Sequence, residues 1–220
     1  MRSCLKQLQS HPLFEGIQEE RLSAMLACLG GYRKTYQKGE IIFLSEEPVK
    51  SVGIVIHGRI RMTKEYDNGD VSMLMNIEQG ELLGETFACG SFLNSKVVFQ
   101  AAVSSEVLFL PFYKVIHTCN MTCGFHHRLI ENMVRLISDK NVQLIEKMEA
   151  TSRKSLRDKI LTYLFNQAEK RNSWEFEIPL SRGELAEYLC ADRSALTREL
   201  SHMREDGLIV FQKNRFRIVK

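Results

Sequence analysis

One segment near the C-terminus carries arginines and small hydroxyl side chains at spacings that place them on one face of a helix. This face holds Arg193, Ser194, Thr197, Arg198 and Ser201. An arginine bonds both acceptors on the edge of a guanine, and hydroxyl groups bond bases or phosphates. The pattern therefore suits contacts with the major groove of duplex DNA. The alternative is a set of solvated charges on an ordinary exposed helix.

The opposite face of the same segment is apolar. Leu196, Leu200 and Met203 recur at i, i+4 and i+7, so we expect them to pack on a neighbouring helix. Asp192 is a suitable N-cap residue, and Gly207 ends the helix soon after Asp206. The segment from 193 to about 206 is therefore predicted to be an amphipathic helix with one free polar face.

A shorter helix is predicted just before it. Ser181 and Glu184 match a capping box, in which the serine hydroxyl and the glutamate carboxylate bond each other's backbone N–H groups. This helix runs to about Leu189, and Cys190 and Ala191 form a short connection to the next. The Ser181 hydroxyl and the helix N-terminus supply donors for a phosphate.

Two short apolar runs follow the second helix, Leu208–Phe211 and Phe216–Val219. The turn between them is basic and contains Lys213, Asn214 and Arg215, which are placed to contact the DNA backbone. Two helices with a short connection, followed by a hairpin, make up a winged helix-turn-helix.

Short apolar or alternating runs broken by turn residues occupy residues 32–111, after a predicted helix over 13–29. Turn pairs such as Asn68-Gly69 supply the positive φ that tight hairpins require. Several short strands at this spacing predict an antiparallel sandwich or barrel. The strand-sized runs are Ile41–Leu44, Val52–Ile56, Ile60–Thr63, Val71–Ile77, Val97–Val103 and Val107–Leu110.

Residues 124–150 predict one long helix with two apolar stripes. One stripe has heptad spacing and predicts a homodimer through paired helices, in which the polar Asn141 would define the register. The other, Leu129, Met133 and Leu136, would face the sheet domain. The alternative is a single amphipathic helix packed on its own domain. The heptad stripe consists of Ile130, Val134, Ile137, Asn141, Leu144 and Met148.

Length and composition agree with two modest globular domains. The chain has 220 residues, of which 44% are hydrophobic and 26% charged. No apolar run approaches the roughly 18 residues that a membrane span needs, so we expect a cytoplasmic protein with reduced cysteines and no membrane partner. Residues 151–220 hold 14 lysines and arginines against 10 acidic residues, whereas residues 1–150 hold 16 against 17. The basic excess of the C-terminal part favours an anionic partner.

The run from Leu180 to Ile209 resembles the helix-turn-helix of the Crp/Fnr family of bacterial transcription regulators. The segment Gly80–Ala101, with Gly84-Glu85, is similar to the cyclic-nucleotide-binding-like jelly roll of that family. The resemblance covers essentially the whole chain. It implies base and phosphate contacts by Arg193, Ser194, Thr197 and Arg198, with RNA polymerase as a further partner. Cys190 departs from the glycine that many relatives have in the turn, which leaves the turn geometry open.

The sensor region departs from the relatives that bind cyclic AMP. In their phosphate cassette, glycine and glutamate are followed about ten residues later by an arginine and a hydroxyl residue. Here the later stretch begins Asn94-Ser95-Lys96, and no arginine occurs between Arg61 and Arg128. Lys96 is a point charge without the planar fork of arginine, so we do not expect cyclic AMP to be the effector. The predicted effector pocket comprises Gly84, Glu85, Thr86, Ser95, Lys96 and Met133.

A cluster of cysteines and histidines precedes the long helix. Cys119, Cys123, His126 and His127, with His117 just before them, have separations that could hold zinc or a haem iron. The favoured interpretation is a structural loop that binds no metal. Haem, another metal and a redox thiol switch are the alternatives, and the cofactor is otherwise unknown.

These observations predict an α+β protein in three parts. An N-terminal antiparallel β-roll (jelly roll) sensor domain occupies 1–123, a dimerisation helix 124–150 and a winged helix-turn-helix DNA-binding domain 151–220. The favoured function is a dimeric regulator that binds a palindromic operator in double-stranded DNA under control of an unidentified small-molecule effector. An interaction protein or ligand-independent regulator whose β-roll is only a scaffold, and a haem or redox sensor, are alternatives. An enzyme is disfavoured, because no nucleophile–base pair or phosphate loop occurs.

Overall fold

The computed structural model describes residues 8–91, 93–117 and 124–219. The chain divides into two compact units, one up to residue 139 and the other from residue 140 onwards. The boundary falls inside the long helix, so each unit includes part of that helix. The predicted architecture of antiparallel sheets, long helix and helix-turn-helix is confirmed.

The N-terminal unit is built on two antiparallel four-stranded sheets. The strands are β1 (Tyr32–Tyr36), β2 (Ile41–Phe43), β3 (Ser51–His57), β4 (Ile60–Glu65), β5 (Val71–Ile77), β6 (Leu82–Leu83), β7 (Val98–Ala101) and β8 (Ser105–Pro111). One sheet has the order β1-β8-β3-β6 and the other the order β2-β7-β4-β5. Both sheets contribute side chains to one apolar core, which includes Ile54, Ile60, Phe99 and Phe109.

The turn between β3 and β4 depends on a glycine. Gly58 has φ +91°, and a Cβ at this position would lie 2.3 Å from the Ser105 hydroxyl oxygen and 2.6 Å from the Ser104 carbonyl oxygen. The turn, which leads from one sheet to the other, can therefore approach the start of β8 only if this residue has no side chain.

Helices flank the sheets of this unit: α1 (Glu19–Leu29), α2 (Glu85–Ala88) and α3 (Phe112–Ile116). The prediction of one helix over 13–29 is wrong, because a short 3-10 turn (Pro12–Phe14) comes first and α1 begins only at Glu19. Gly16, with φ +75°, interrupts the helical path between them. Strands β1 and β6 were not among the predicted runs, since β1 is mostly polar and β6 has two residues.

The long helix α4 (Gly124–Ser152) packs its first half on the sensor core. Leu129 and Met133 are buried there, as the second apolar stripe predicted. The amide nitrogen of Asn132 donates to the carbonyl oxygens of Leu13 and Glu15, at 3.0 and 2.9 Å. This buried side chain, which the sequence did not single out, therefore attaches the N-terminal turn to α4.

The C-terminal unit contains helices α5 (Leu156–Arg171), α6 (Arg182–Tyr188) and α7 (Arg193–Glu205). A three-stranded antiparallel sheet, in the order β10-β11-β9, completes it, with β9 (Glu175–Glu177), β10 (Ile209–Gln212) and β11 (Arg215–Ile218). Strands β10 and β11 and their turn are here called the wing. The unit has its own apolar core, to which all three helices and the sheet contribute.

Candidate functional site

Helix α7 begins at a strong cap. One carboxylate oxygen of Asp192 accepts hydrogen bonds from the backbone N–H groups of Ser194 and Ala195, at 2.8 and 3.0 Å, and from the Ser194 hydroxyl at 2.6 Å. These bonds, led by that of the Ser194 hydroxyl, lower the pKa of Asp192. The first turn of α7 is therefore well defined, and Asp192 is the N-cap residue, as the sequence predicted.

The two faces of α7 differ as the sequence predicted. Leu196, Leu200 and Met203 are fully buried in the core of the C-terminal unit. On the opposite face the side chains are exposed to solvent, and this face is available to a groove of DNA. The exposed residues are Arg193, Ser194, Thr197 and Arg198.

The hydroxyl groups of this face already donate within the helix. Ser194 donates to Asp192, and the Thr197 hydroxyl donates to the Arg193 carbonyl oxygen at 2.9 Å. Phosphate oxygens only accept hydrogen bonds, whereas the amino groups of cytosine and adenine donate them. In this arrangement the two hydroxyl oxygens are therefore better suited to accept from base amino groups than to donate to phosphates.

An arginine that the sequence did not single out attaches α7 to α5. Arg157 on α5 contacts Glu199 through Nε and Asp206 through Nη1, both at 2.7 Å. These contacts, the Glu199 bond foremost, raise the pKa of Arg157. A planar guanidinium that bonds two carboxylates restricts the orientation of α7 relative to α5. The sequence signal was weak, since 42 residues separate Arg157 from Glu199.

The connection between α6 and α7 contains a strained residue. Cys190 is exposed and has φ +51°, in the left-handed region that glycine adopts most easily. The thiol residue thus takes the conformation that a glycine would have there. Two lysines lie nearby: Lys159 donates to the Leu189 carbonyl oxygen at 3.3 Å, and the Lys147 ammonium lies 5.0 Å from the centre of the ring of Tyr188, the last residue of α6.

The predicted capping box of α6 is present. The Ser181 hydroxyl accepts from the Glu184 N–H at 3.3 Å, and the Ser181 N–H donates to the Glu184 carboxylate at 2.8 Å. The wing turn lies near this end of α6, because Arg182 donates to the Lys213 carbonyl oxygen at 3.2 Å. The structure therefore brings Ser181 and the wing turn to one end of the unit.

A cleft of about 660 Å³ opens beside the wing. The side chains that line the cleft are basic or amides, apart from one carboxylate. One of the basic residues, Arg215, also forms an ion pair at 2.7 Å with Glu175, which is not part of the lining. The cleft is suited to a polyanion such as a nucleic-acid backbone. Its lining residues are Glu177, Arg182, Gln212, Lys213, Asn214 and Arg215.

In the sensor unit, both segments of the predicted effector pocket, residues 84–86 and residues 95–96, lie near Val49. Gly84 has φ +75°, and a Cβ there would lie 3.0 Å from a methyl carbon of Val49. The Val49 N–H donates to the Leu93 carbonyl oxygen, close to Ser95 and Lys96. Glu85 is buried and accepts from the Thr86 hydroxyl at 3.2 Å. Met133 packs in the apolar core of this unit.

The polar groups of the later cassette stretch bond to the protein itself. Ser95 is fully buried, and its hydroxyl donates to the Val97 carbonyl oxygen at 2.6 Å. The Lys96 ammonium lies 3.0 Å from a Glu46 carboxylate oxygen, and both side chains are more than half exposed. The lysine charge that was a candidate for binding an anionic ligand is thus paired with a carboxylate.

Two family models match the chain. The model of the Crp-like helix-turn-helix domain matches residues 158–220, and the model of the cyclic nucleotide-binding domain matches residues 33–119. The chain belongs to the Crp/Fnr family of transcription regulators. It is 26% identical to electron transport regulator A of Shewanella oneidensis, over 80% of this chain and 70% of that protein. It is 23% identical to transcriptional activator FnrL of Cereibacter sphaeroides, over 86% and 76%.

Solved structures have the same fold. The c-di-GMP-responsive regulator CLP of Xanthomonas campestris superposes with a TM-score of 0.67, at 17% identity over 92% of this chain and all of that one. FixK2 of Bradyrhizobium japonicum superposes with a TM-score of 0.61, also at 17% identity, over 86% of this chain and 93% of that one. Crp/Fnr proteins are transcription regulators and not enzymes, and the family's helix-turn-helix binds DNA.

Membership of the Crp/Fnr family raises the question of a cyclic nucleotide, and the residues present suit one poorly. Glu85 is buried and already accepts from the Thr86 hydroxyl, and the stretch about ten residues later offers the Lys96–Glu46 pair and no arginine fork for a cyclic phosphate. A carboxylate beside the phosphate would oppose its binding.

The histidines of the predicted metal or haem region have different surroundings. His126 is buried, His127 is exposed, and His117 is stacked on Tyr113, with its ring centre 3.9 Å away. Cys119 and Cys123 lie outside the described residues. Within the described ranges, no three His, Cys, Asp or Glu side chains come together as a metal site. Nor does any helix in those ranges have the length and apolar character needed to cross a membrane.

Proposed function

We propose that this Crp/Fnr regulator binds a palindromic operator as a homodimer. The exposed polar face of α7, opposite its fully buried apolar face, is the observation that carries the proposal. Arg198 lies one turn into the helix, where a side chain reaches a base edge, and Arg193 lies at its start, beside the backbone. Ser181, Lys213 and Arg215 contact flanking phosphates. We place this DNA binding in the bacterial cytoplasm and propose RNA polymerase as a further partner.

The homodimer is supported by apolar side chains that a single chain leaves exposed on α4. Val134 is 57% exposed, Leu144 43% and Met148 66%. Val142 and Ile145, which the heptad prediction omitted, are 53% and 60% exposed. Ile130 and Ile137 are only partly exposed, because they also pack against the sensor core. Pairing two copies of α4 would remove this apolar surface from water.

Selection from a random-sequence DNA pool tests the proposal directly. We expect the selected duplexes to contain an inverted repeat with half-site centres about one helical turn, roughly 34 Å, apart. Sedimentation of the protein with such a duplex should give two chains per duplex. Selected sequences without two-fold symmetry, or a complex with one chain, would contradict the proposal.

Control by a small effector is the second part of the proposal, and a regulator that needs no effector is its competitor. The Lys96–Glu46 pair opposes an anionic effector, because it satisfies within the protein a charge that an anion could have used, but it does not oppose a neutral effector. Native mass spectrometry of the freshly purified dimer distinguishes the two. A retained molecule of defined mass supports an effector, and operator binding by a ligand-free dimer supports the scaffold role.

A further inference from the structure

An arginine at the start of α6 lies between the helix-turn-helix and the wing. The Arg182 guanidinium carbon is 5.2 Å from the centre of the Phe211 ring and 5.5 Å from that of Phe216. The two rings stack on each other, with centres 5.6 Å apart and planes 24° apart. Phe216 is buried and thereby anchored in the core of the unit. We call Arg182, Phe211 and Phe216 the aromatic clamp.

The clamp connects three elements. Phe211 belongs to β10 and Phe216 to β11, while Arg182 is the first residue of α6. The guanidinium of Arg204, in the last turn of α7, also lies 5.3 Å from the Phe211 ring centre. Both helices of the helix-turn-helix therefore contact the same ring of the wing through an arginine, by cation–π attraction.

Arg182 also holds the turn that carries the basic residues of the wing. It donates to the carbonyl oxygen of Lys213, whose φ of +52° is unfavourable for a residue with a side chain. A strained turn persists where surrounding contacts hold it. Burial lowers the pKa of Arg182, in agreement with a guanidinium partly withdrawn from water against the rings.

We propose that Arg182 is a positioning residue for DNA binding: it fixes the wing so that Lys213 and Arg215 meet the backbone phosphates at the cleft. The proposal rests on the proposed DNA-binding function and adds to it a residue that acts through the wing. The planar fork is essential, because it contacts two rings and a carbonyl oxygen at once. Lysine has the same charge and lacks this geometry.

The substitution Arg182→Lys separates positioning from a direct phosphate contact, since the net charge is unchanged. We expect operator affinity, measured by fluorescence anisotropy with a selected duplex, to fall about tenfold. The salt dependence should also become shallower, by about one unit of slope for each phosphate that the wing no longer reaches. Arg182→Gln, which also removes the charge, should add only a small further loss, because the guanidinium makes no phosphate contact of its own in the proposal. Arg171→Lys is the matched control and should bind like the wild type, because Arg171 bonds Gln167 on its own helix.

A double-mutant cycle with Lys213→Gln tests whether Arg182 acts through the wing. If it does, the two substitutions are coupled, and the double variant binds about as weakly as Arg182→Lys alone. Arg182→Lys with wild-type affinity, or strictly additive effects, would overturn the proposal. A wild type that selects no operator would overturn the DNA-binding function and the positioning role together, whereas normal binding by the clamp variants overturns only the latter.

A measurement without DNA completes the test. Trypsin cleaves after Lys213, and a fixed turn resists it better than a loose one. We expect cleavage at Lys213 of the intact protein to accelerate at least several-fold in Arg182→Lys and in Phe211→Leu, but not in Arg171→Lys. The Phe211→Leu variant leaves Arg182 in place, so it still tests the clamp if Arg182→Lys folds poorly. Unchanged cleavage in both clamp variants would contradict the proposal.

Discussion

The ammonium group of Lys96, about ten residues after Gly84-Glu85, lies 3.0 Å from the carboxylate of Glu46. Both side chains are more than half exposed, so the pair itself contributes little to stability, about 0–1 kcal/mol. An incoming phosphate would meet a carboxylate beside the lysine, which opposes its binding by an amount of the same order. The pair therefore disfavours an anionic ligand at this position.

We predict that cyclic AMP does not bind at micromolar concentrations. No arginine lies between Arg61 and Arg128 in the sequence, so the stretch after Gly84-Glu85 has no arginine fork to offset the desolvation of a cyclic phosphate. Calorimetry of the dimer with cyclic AMP should show no saturable heat of binding at cyclic AMP concentrations below about 100 μM. Glu46→Gln should strengthen any residual binding by no more than about fivefold, the equivalent of one surface ion pair. Micromolar or tighter binding by the wild type would refute the prediction.

The second prediction concerns the α4 dimer. Leu144→Asp should release monomers, because it places a charge in apolar surface whose burial contributes roughly 25 cal/mol per Å². Leu144 is a better site for this test than Ile137, whose side chain also packs on the sensor core. Sedimentation at micromolar concentration measures the change. Val71→Asp, the same kind of substitution at a residue 61% exposed on β5, should leave the dimer intact. A monomeric wild type would exclude the dimer.

Arg198 and Arg193 should respond differently to replacement by alanine. Arg198→Ala should cost about 1–3 kcal/mol of operator binding and relax the preference at one symmetric base position. Arg193→Ala should weaken all sequences more evenly and flatten the salt dependence, as expected for a phosphate contact. Competition binding against operator variants at several salt concentrations measures both effects. If neither substitution changes affinity or salt slope, α7 is not the recognition helix.

Replacing Cys190 with glycine should stabilise the C-terminal unit. The left-handed conformation costs a residue with a side chain roughly 1–2 kcal/mol, and the greater unfolded-state freedom of glycine offsets part of this, leaving about 0.5–1 kcal/mol. The fluorescence of Trp174, the single tryptophan, reports unfolding of this unit. Asn166→Gly, which places glycine inside α5 of the same unit, should give no such increase. A lower midpoint of unfolding for Cys190→Gly than for the wild type would show that the thiol makes a stabilising contact.

The region from Cys119 to His127 should be structural. Purified protein should have no Soret band, and elemental analysis should find no stoichiometric zinc. His126 is buried, so His127→Ala is the substitution less prone to disturb folding. A haem spectrum that disappears in His127→Ala would show that this region binds haem.

The sequence by itself was sufficient for the helix-turn-helix, because the signals there are local. The Ser181–Glu184 capping box, the Asp192 N-cap and the spacing of Leu196, Leu200 and Met203 each lie within one helix. Hydrogen bonds and periodicity over a few residues are encoded in adjacent positions. The same argument covers the long helix and most strands of the sensor, whose apolar runs the structure reproduces within a few residues.

Only the tertiary structure revealed the contacts that position these elements. Arg157 with Glu199, Asn132 with Leu13, and Lys96 with Glu46 join residues 42, 119 and 50 positions apart. Arg182 and the wing rings meet in the same way, and Cys190 has a conformation that its residue type would not suggest. A charged or amide side chain has many partners of suitable chemistry in a chain of this length. Which partner it bonds depends on how the sheets and helices pack, because packing alone brings distant residues within hydrogen-bond range.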